Sequence, residues 1–101
     1  MDHRKIRNLR RQLESLRKKG EISSREMEKF AGQVGRKNLN PRGKEPSYMN
    51  EYLPNSLPLS IPHHSKPLKK GTAHNILDIL EQDIDELEAK LPNQTGGNGH
   101  A

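Results

Sequence analysis

The residues with the most chemistry to offer lie in one run, His63-His64-Ser65-Lys66-Pro67-Leu68-Lys69-Lys70-Gly71-Thr72. An apolar-periodic segment follows at once, so Thr72 is expected to cap and open a helix. A helix's first turn leaves backbone N–H groups without partners and carries the positive end of its dipole. Lysines just ahead of such a terminus make a seat for phosphate. The chemistry implied is recognition of a polyanion, RNA foremost.

His63 and His64 are adjacent, so on a strand they point to opposite faces and cannot both reach one phosphate. If Ile61 faces the core, His63 shares its face and His64 lies with Ser60 on the other. An imidazole at position 64, beside Lys66, Lys69 and Lys70, has two readings. It is a phosphate ligand or an acid for a leaving oxygen, or it is an exposed side chain ending a strand. His74 is expected to face solvent. These histidines lack compact ligand spacing and have no thiol or matched carboxylate nearby, so neither a metal nor a cofactor is expected.

The lysines also have two readings: phosphate contacts whose affinity falls steeply with salt, or a plain soluble surface. Arg36, Lys37, Arg42 and Lys44 extend the basic patch if their segment lies alongside. Tyr48 and Tyr52 are the only candidates for base stacking. Four residues apart, they share a strand face, and burial in the core would serve them equally.

These side chains need elements to hold them. Ile6, Leu9, Leu13 and Leu16 form an a/d seam on a helix from about residue 3 to Lys19, stopped by Gly20. Two heptads are too few for a stable isolated coiled coil, so this helix must pack on something. Ser23-Ser24-Arg25-Glu26 is a capping box opening a second helix. Met27, Phe30, Ala31 and Val34 line its apolar face, and Gly35 supplies the left-handed stop. Residues 36–62 contain Pro41, Pro46, Pro54, Pro58 and Pro62 and read as strands. The segments are Arg36 to Leu39, then Tyr48, Met49, Tyr52 and Leu53, then the alternating Leu57, Leu59 and Ile61. Pro58 favours an edge strand or a bulge. The last helix carries Ile76, Leu77, Leu80, Ile84, Leu87 and Leu91 as an apolar stripe and ends at Pro92. The stripe is expected to lie across the sheet. The fold class is α+β: helix, helix, a small antiparallel sheet, then helix.

Composition limits the alternatives. The 101 residues are only 29% hydrophobic, with no Cys, no Trp and a single Phe. That excludes disulfides and thiolate metal sites and fits a reducing cytoplasm. No apolar run approaches the roughly 20 residues that span a bilayer. The N-terminus lacks an apolar signal core, so no membrane role or export is expected. Asn93 to Ala101 is expected to be disordered. The formal charge of +5 hides an asymmetry, because residues 1–20 carry eight Lys and Arg against two acids. Residues 72–91 carry six acids against Lys90 alone. The division is therefore a basic helix over 1–20, a domain over 21–92 and a tail over 93–101.

The stretch Leu59-Ser60-Ile61-Pro62-x-His64, leading into Leu68-Lys69-Lys70-Gly71-Thr72 and Ile76-Leu77, resembles the HicA family of toxin–antitoxin systems. The resemblance covers roughly residues 23–91 and leaves the first helix outside. It implies a double-stranded-RNA-binding-domain-like α-β-β-β-α fold, with Arg42, Lys44, Lys66, Lys69, Lys70 and Thr72 toward RNA. It also implies an mRNA-cleaving endoribonuclease toxin (an mRNA interferase) and a HicB-like antitoxin partner. His64 aligns with the family's histidine. The family's Gly-x-His-type motif falls on Arg42-Gly43-Lys44-Glu45, where the histidine position holds Glu45. A carboxylate is a candidate base, but its ordinary pKa near 4.3 makes it a poor acid at neutral pH. Catalytic candidates are therefore His64 and Glu45, and whether the chain is an enzyme stays open.

A different class of function competes. The basic first helix and acidic last helix suit a regulatory or assembly protein that works by helix pairing, within one chain or in a homodimer.

Overall fold

The computed structural model describes residues 1–40, 46–63 and 65–92. Helix α1 (His3–Lys18) is followed by α2 (Ser24–Val34), strands β1 (Arg36–Asn38), β2 (Ser47–Asn50) and β3 (Leu59–Ser60), and helix α3 (Lys70–Ala89). The class is α+β, with three helices and one three-stranded antiparallel sheet among the described residues.

Asp2 starts α1: its carboxylate accepts from the Lys5 N–H at 2.8 Å. That satisfies one orphan donor and holds the Asp2 carboxyl below its usual range, the Lys5 bond being the leading cause. The a/d seam is buried, with Ile6, Leu9 and Leu13 in the core and Leu16 packed against it. In α2 the capping box is complete. Glu26 N–H donates to Ser23 Oγ and Ser23 N–H donates to Glu26 Oε1, both at 3.0 Å. Gly35 ends the helix at φ +113°, its N–H bonded to the Ala31 carbonyl. A Cβ there would stand 2.6 Å from the Tyr52 ring, so both backbone conformation and space demand glycine.

The sheet order is β1-β2-β3. Arg36, Lys37 and Asn38 face Asn50, Met49 and Tyr48, and Ser47 and Tyr48 face Ser60 and Leu59. The third strand is shorter than the Leu57–Leu59–Ile61 alternation implies. Leu59 and Ile61 are buried, but Leu57 is 81% exposed. Pro58 cannot donate to a ladder, so pairing begins only after it. The Leu57 carbonyl instead accepts from Arg36 Nη1 at 2.7 Å. Tyr48 and Tyr52 do not share a face either: β2 ends at Asn50, Tyr48 is buried, and Tyr52 is exposed in the following turn.

Helix α3 starts three residues earlier than the Thr72 cap implies. Lys69 is the N-cap, with extended backbone and no side-chain bond to the first turn. Ala73 N–H to the Lys69 carbonyl, at 2.8 Å, is the first helical bond. Thr72 is thus a half-buried residue inside the first turn. Ile76, Leu77, Leu80, Ile84 and Leu87 are buried as a stripe. This stripe meets α1 and α2, and α3 is tied to the sheet through Asp83.

Helices α1 and α3 run antiparallel. His3 Nε2 lies 2.8 Å from the Pro92 carbonyl, Arg10 bonds Asp85 and Glu88, and Arg17 bonds Asp78 and Glu81. The tied residues 3, 10 and 17 meet 92, 85 and 78, so the contacts recur every heptad on both helices. The acidic partner of the basic helix is in the same chain.

Candidate nucleic-acid interface

The antiparallel pairing brings the C-terminal end of α1 beside the N-terminal end of α3. Three further bonds gather the connecting segments there. Leu68 N–H donates to the Ile22 carbonyl at 2.8 Å, Ser24 Oγ donates to the Pro62 carbonyl at 2.6 Å, and Lys19 pairs with Glu26. Lys19, Lys70 and His74 line one small crevice at this junction. The result is a basic pole at which Lys18, Lys66, Lys69 and Lys70 are all exposed.

Lys69 and Lys70 flank the start of α3, where no side chain caps the first-turn N–H groups and no acid sits in that turn. Among the described residues, no acidic side chain of the first turn offsets the positive end of the dipole. Gly71 is exposed, and nothing stands within 4 Å of where a Cβ would sit, so the backbone can be approached closely. Lys69 and Lys70 form no ion pair among the described residues. Lys69 and Lys70 thus stand at the start of α3 itself, and Thr72 lies inside the first turn instead of capping it.

Other candidates fall differently. His63 is exposed, with Nδ1 2.7 Å from Glu28 Oε2 on α2. It does not share the buried side of Ile61, because the strand ends at Ser60 and side-chain alternation ends with it. His74 is exposed, as expected. His64, Glu45, Arg42 and Lys44 lie outside the described residues. Among the described residues no group of three His, Asp or Glu could hold a metal ion. Among the described residues no helix is long and apolar enough to cross a membrane.

Arg36 is not part of the basic surface. Its Nε and Nη2 donate to Asp83 at 2.7 and 3.0 Å, and its Nη1 donates to the Tyr48 and Leu57 carbonyls. Asn50 Nδ2 donates to Asp83 and to the Val34 carbonyl, and its Oδ1 accepts from Tyr52 N–H. Lys37 stays on the surface and pairs with Glu51. The buried network was missed from sequence, although a signal existed: Asp83 sits at the i+3 position from Leu80 and i−4 from Leu87, on the apolar side of α3. An acid there requires a partner.

No family model, no curated protein and no solved structure matches this chain.

Proposed function

We propose that this chain is a HicA-like RNA-binding protein whose unit from α2 to α3 is a dsRBD-like module acting in the cytoplasm. The element order α-β-β-β-α and the β1-β2-β3 sheet support the module reading. The observation that carries RNA binding is the pairing of exposed Lys69 and Lys70 with the uncapped first turn of α3. Contact there is to phosphate oxygens, so recognition is of duplex shape more than of base sequence. Of the two stacking candidates Tyr48 is buried, which leaves Tyr52 as the one exposed ring.

The test is binding to a mixed-sequence RNA duplex longer than the roughly 16 base pairs such modules span. Affinity should fall with salt, and the double variant Lys69→Gln/Lys70→Gln should lower the log–log salt slope by about two. An unchanged slope rejects the reading. Cleavage is a separate question, answered by end-labelled RNA incubated with the parent and with His64→Ala and Glu45→Gln. A product ladder lost in either variant would make the chain an endoribonuclease and a candidate target of a HicB-like antitoxin.

A further inference from the structure

We propose that the outward face of α1 is a second phosphate-contacting surface, continuing the basic pole along the length of the helix; this rests on the RNA-binding reading above. At 3.6 residues per turn, Arg4, Arg7, Arg11 and Lys18 fall within an arc of about 60°, opposite the buried Ile6–Leu9–Leu13 side. All four are exposed. None forms an ion pair or hydrogen bond among the described residues, in contrast to Arg10 and Arg17 on the flank. From Arg4 to Lys18 the row runs about 21 Å and ends next to Lys19 at the pole.

Helix stability does not account for this row. Arg4 and Arg7 sit near the positive end of the α1 dipole, which has no acid in its first turn. Arg4 and Arg7 are three apart and Arg7 and Arg11 four apart, spacings at which like charges repel. The only acid within α1 is Glu14. Arg4 and Arg7 are held at a cost to their own helix, whereas Lys18 sits favourably in its last turn; an external anion would offset that cost, since α3's facing acids are taken by Arg10 and Arg17.

The character of the face selects the counterpart. A membrane-surface helix inserts its apolar side, but here that side is consumed by the core. A protein interface centres on aromatic or aliphatic anchors, whereas the neighbours of the row are Asn8, Glu14 and Ser15. A straight row of cations without an apolar centre matches a phosphate backbone. Beside it runs a groove of about 560 Å³ between α1 and α2, with Arg11 on one wall and Lys29 on the other.

The experiment uses the full chain with Arg4, Arg7, Arg11 and Lys18 all changed to Gln, measured against the same RNA duplex across a salt series. Removing one phosphate contact lowers the log–log slope by about one, so the quadruple variant should lose about four and bind more weakly to every sequence alike. Helical circular dichroism should be retained, with an equal or higher melting temperature. A slope indistinguishable from the parent's overturns the inference, as does binding lost only to polyglutamate or to phosphatidylserine vesicles. The two proposals separate cleanly. If Lys69→Gln/Lys70→Gln lowers the slope and the α1 variant does not, the α3 site stands and this one falls. The opposite result retains α1 as the RNA-contacting surface and rejects the α3 site. A parent that binds no RNA rejects both.

Discussion

Cutting the buried Arg36–Asp83 pair should cost more than any surface change in this molecule. The two side chains are only 2% and 5% exposed. Asp83→Ala removes both carboxylate contacts to the guanidinium and the acceptor of Asn50 Nδ2. Arg36 would keep the Tyr48 and Leu57 carbonyls, but its charge would stay buried without a counter-ion. Removing one member of such a pair typically costs about 3–5 kcal/mol. A domain of this length is stable by only about 5–15 kcal/mol, so at least a fifth of the total would be lost. The melting temperature should drop by more than about 10 °C. Arg36→Met/Asp83→Leu removes both desolvated charges and should recover much of that loss. Recovery would be incomplete, because the Tyr48 carbonyl loses its guanidinium donor at about 1–3 kcal/mol, whereas the Leu57 residue is open to water and Asn50 Nδ2 keeps the Val34 carbonyl. Urea unfolding of the parent, Arg36→Met, Asp83→Leu and the double closes a mutant cycle, with Asp83→Ala measured beside it. A loss below about 1 kcal/mol for Asp83→Ala would refute the reasoning, as would a double variant whose loss equals the sum of the singles.

Three further outcomes follow from particular contacts. Leu80→Ala should cost about 2–5 kcal/mol in urea unfolding, since the side chain is fully buried; a loss under about half a kcal/mol contradicts its packing. Gly35→Ala should cost at least about 1 kcal/mol, and Tyr52→Ala in the same chain should return only the clash with that ring, leaving the Asn50 Oδ1 contact and the positive-φ penalty. The Lys19 ammonium, then the Ser23 N–H, holds the Glu26 carboxyl below its ordinary value of 4.5. Its contribution to stability is therefore full above that pH and lost as pH falls through the lower folded value, where the unfolded chain binds more protons. Melting temperature should decline on acidification below about pH 4.5, and Glu26→Gln should make the decline shallower; an identical decline refutes the assignment.

Local physics is what the sequence displayed most openly. The Ser23–Glu26 box, the Gly35 stop and the α1 and α3 stripes each need only a few neighbouring residues, and each is found, although the α3 stripe lies against α1 and α2 rather than across the sheet as expected. The start of α3 was displaced because Lys69, a poor cap, precedes Gly71 while the more familiar capping residue Thr72 lies three further on. Leu57 was misassigned because alternation alone does not register that Pro58 breaks the ladder. Arg36 was placed on the surface because its partner is 47 residues away in sequence. Of the lysine run, Lys66, Lys69 and Lys70 are exposed as expected, and their joining to α1 depended on an antiparallel register that charge counts do not encode.

That register has a consequence for function. Because Arg10 and Arg17 offset two of the four negative charges at Asp78, Glu81, Asp85 and Glu88, the acidic helix would repel an approaching polyanion less from its α1-facing side. The same pairing sets the α1 terminus, with Lys18 and Lys19, against the α3 terminus, with Lys69 and Lys70. A parallel pairing would instead have placed Lys18 and Lys19 beside Glu86 and Glu88 and cancelled them. Exposed ion pairs of this kind add little stability, typically about 0–1 kcal/mol each, so their main effect is on geometry and field. Arg10→Ala/Arg17→Ala should therefore leave the fold nearly as stable while weakening the proposed RNA binding through four unmasked carboxylates. A melting temperature shift without any change in RNA affinity would show that the pairs act on the fold alone.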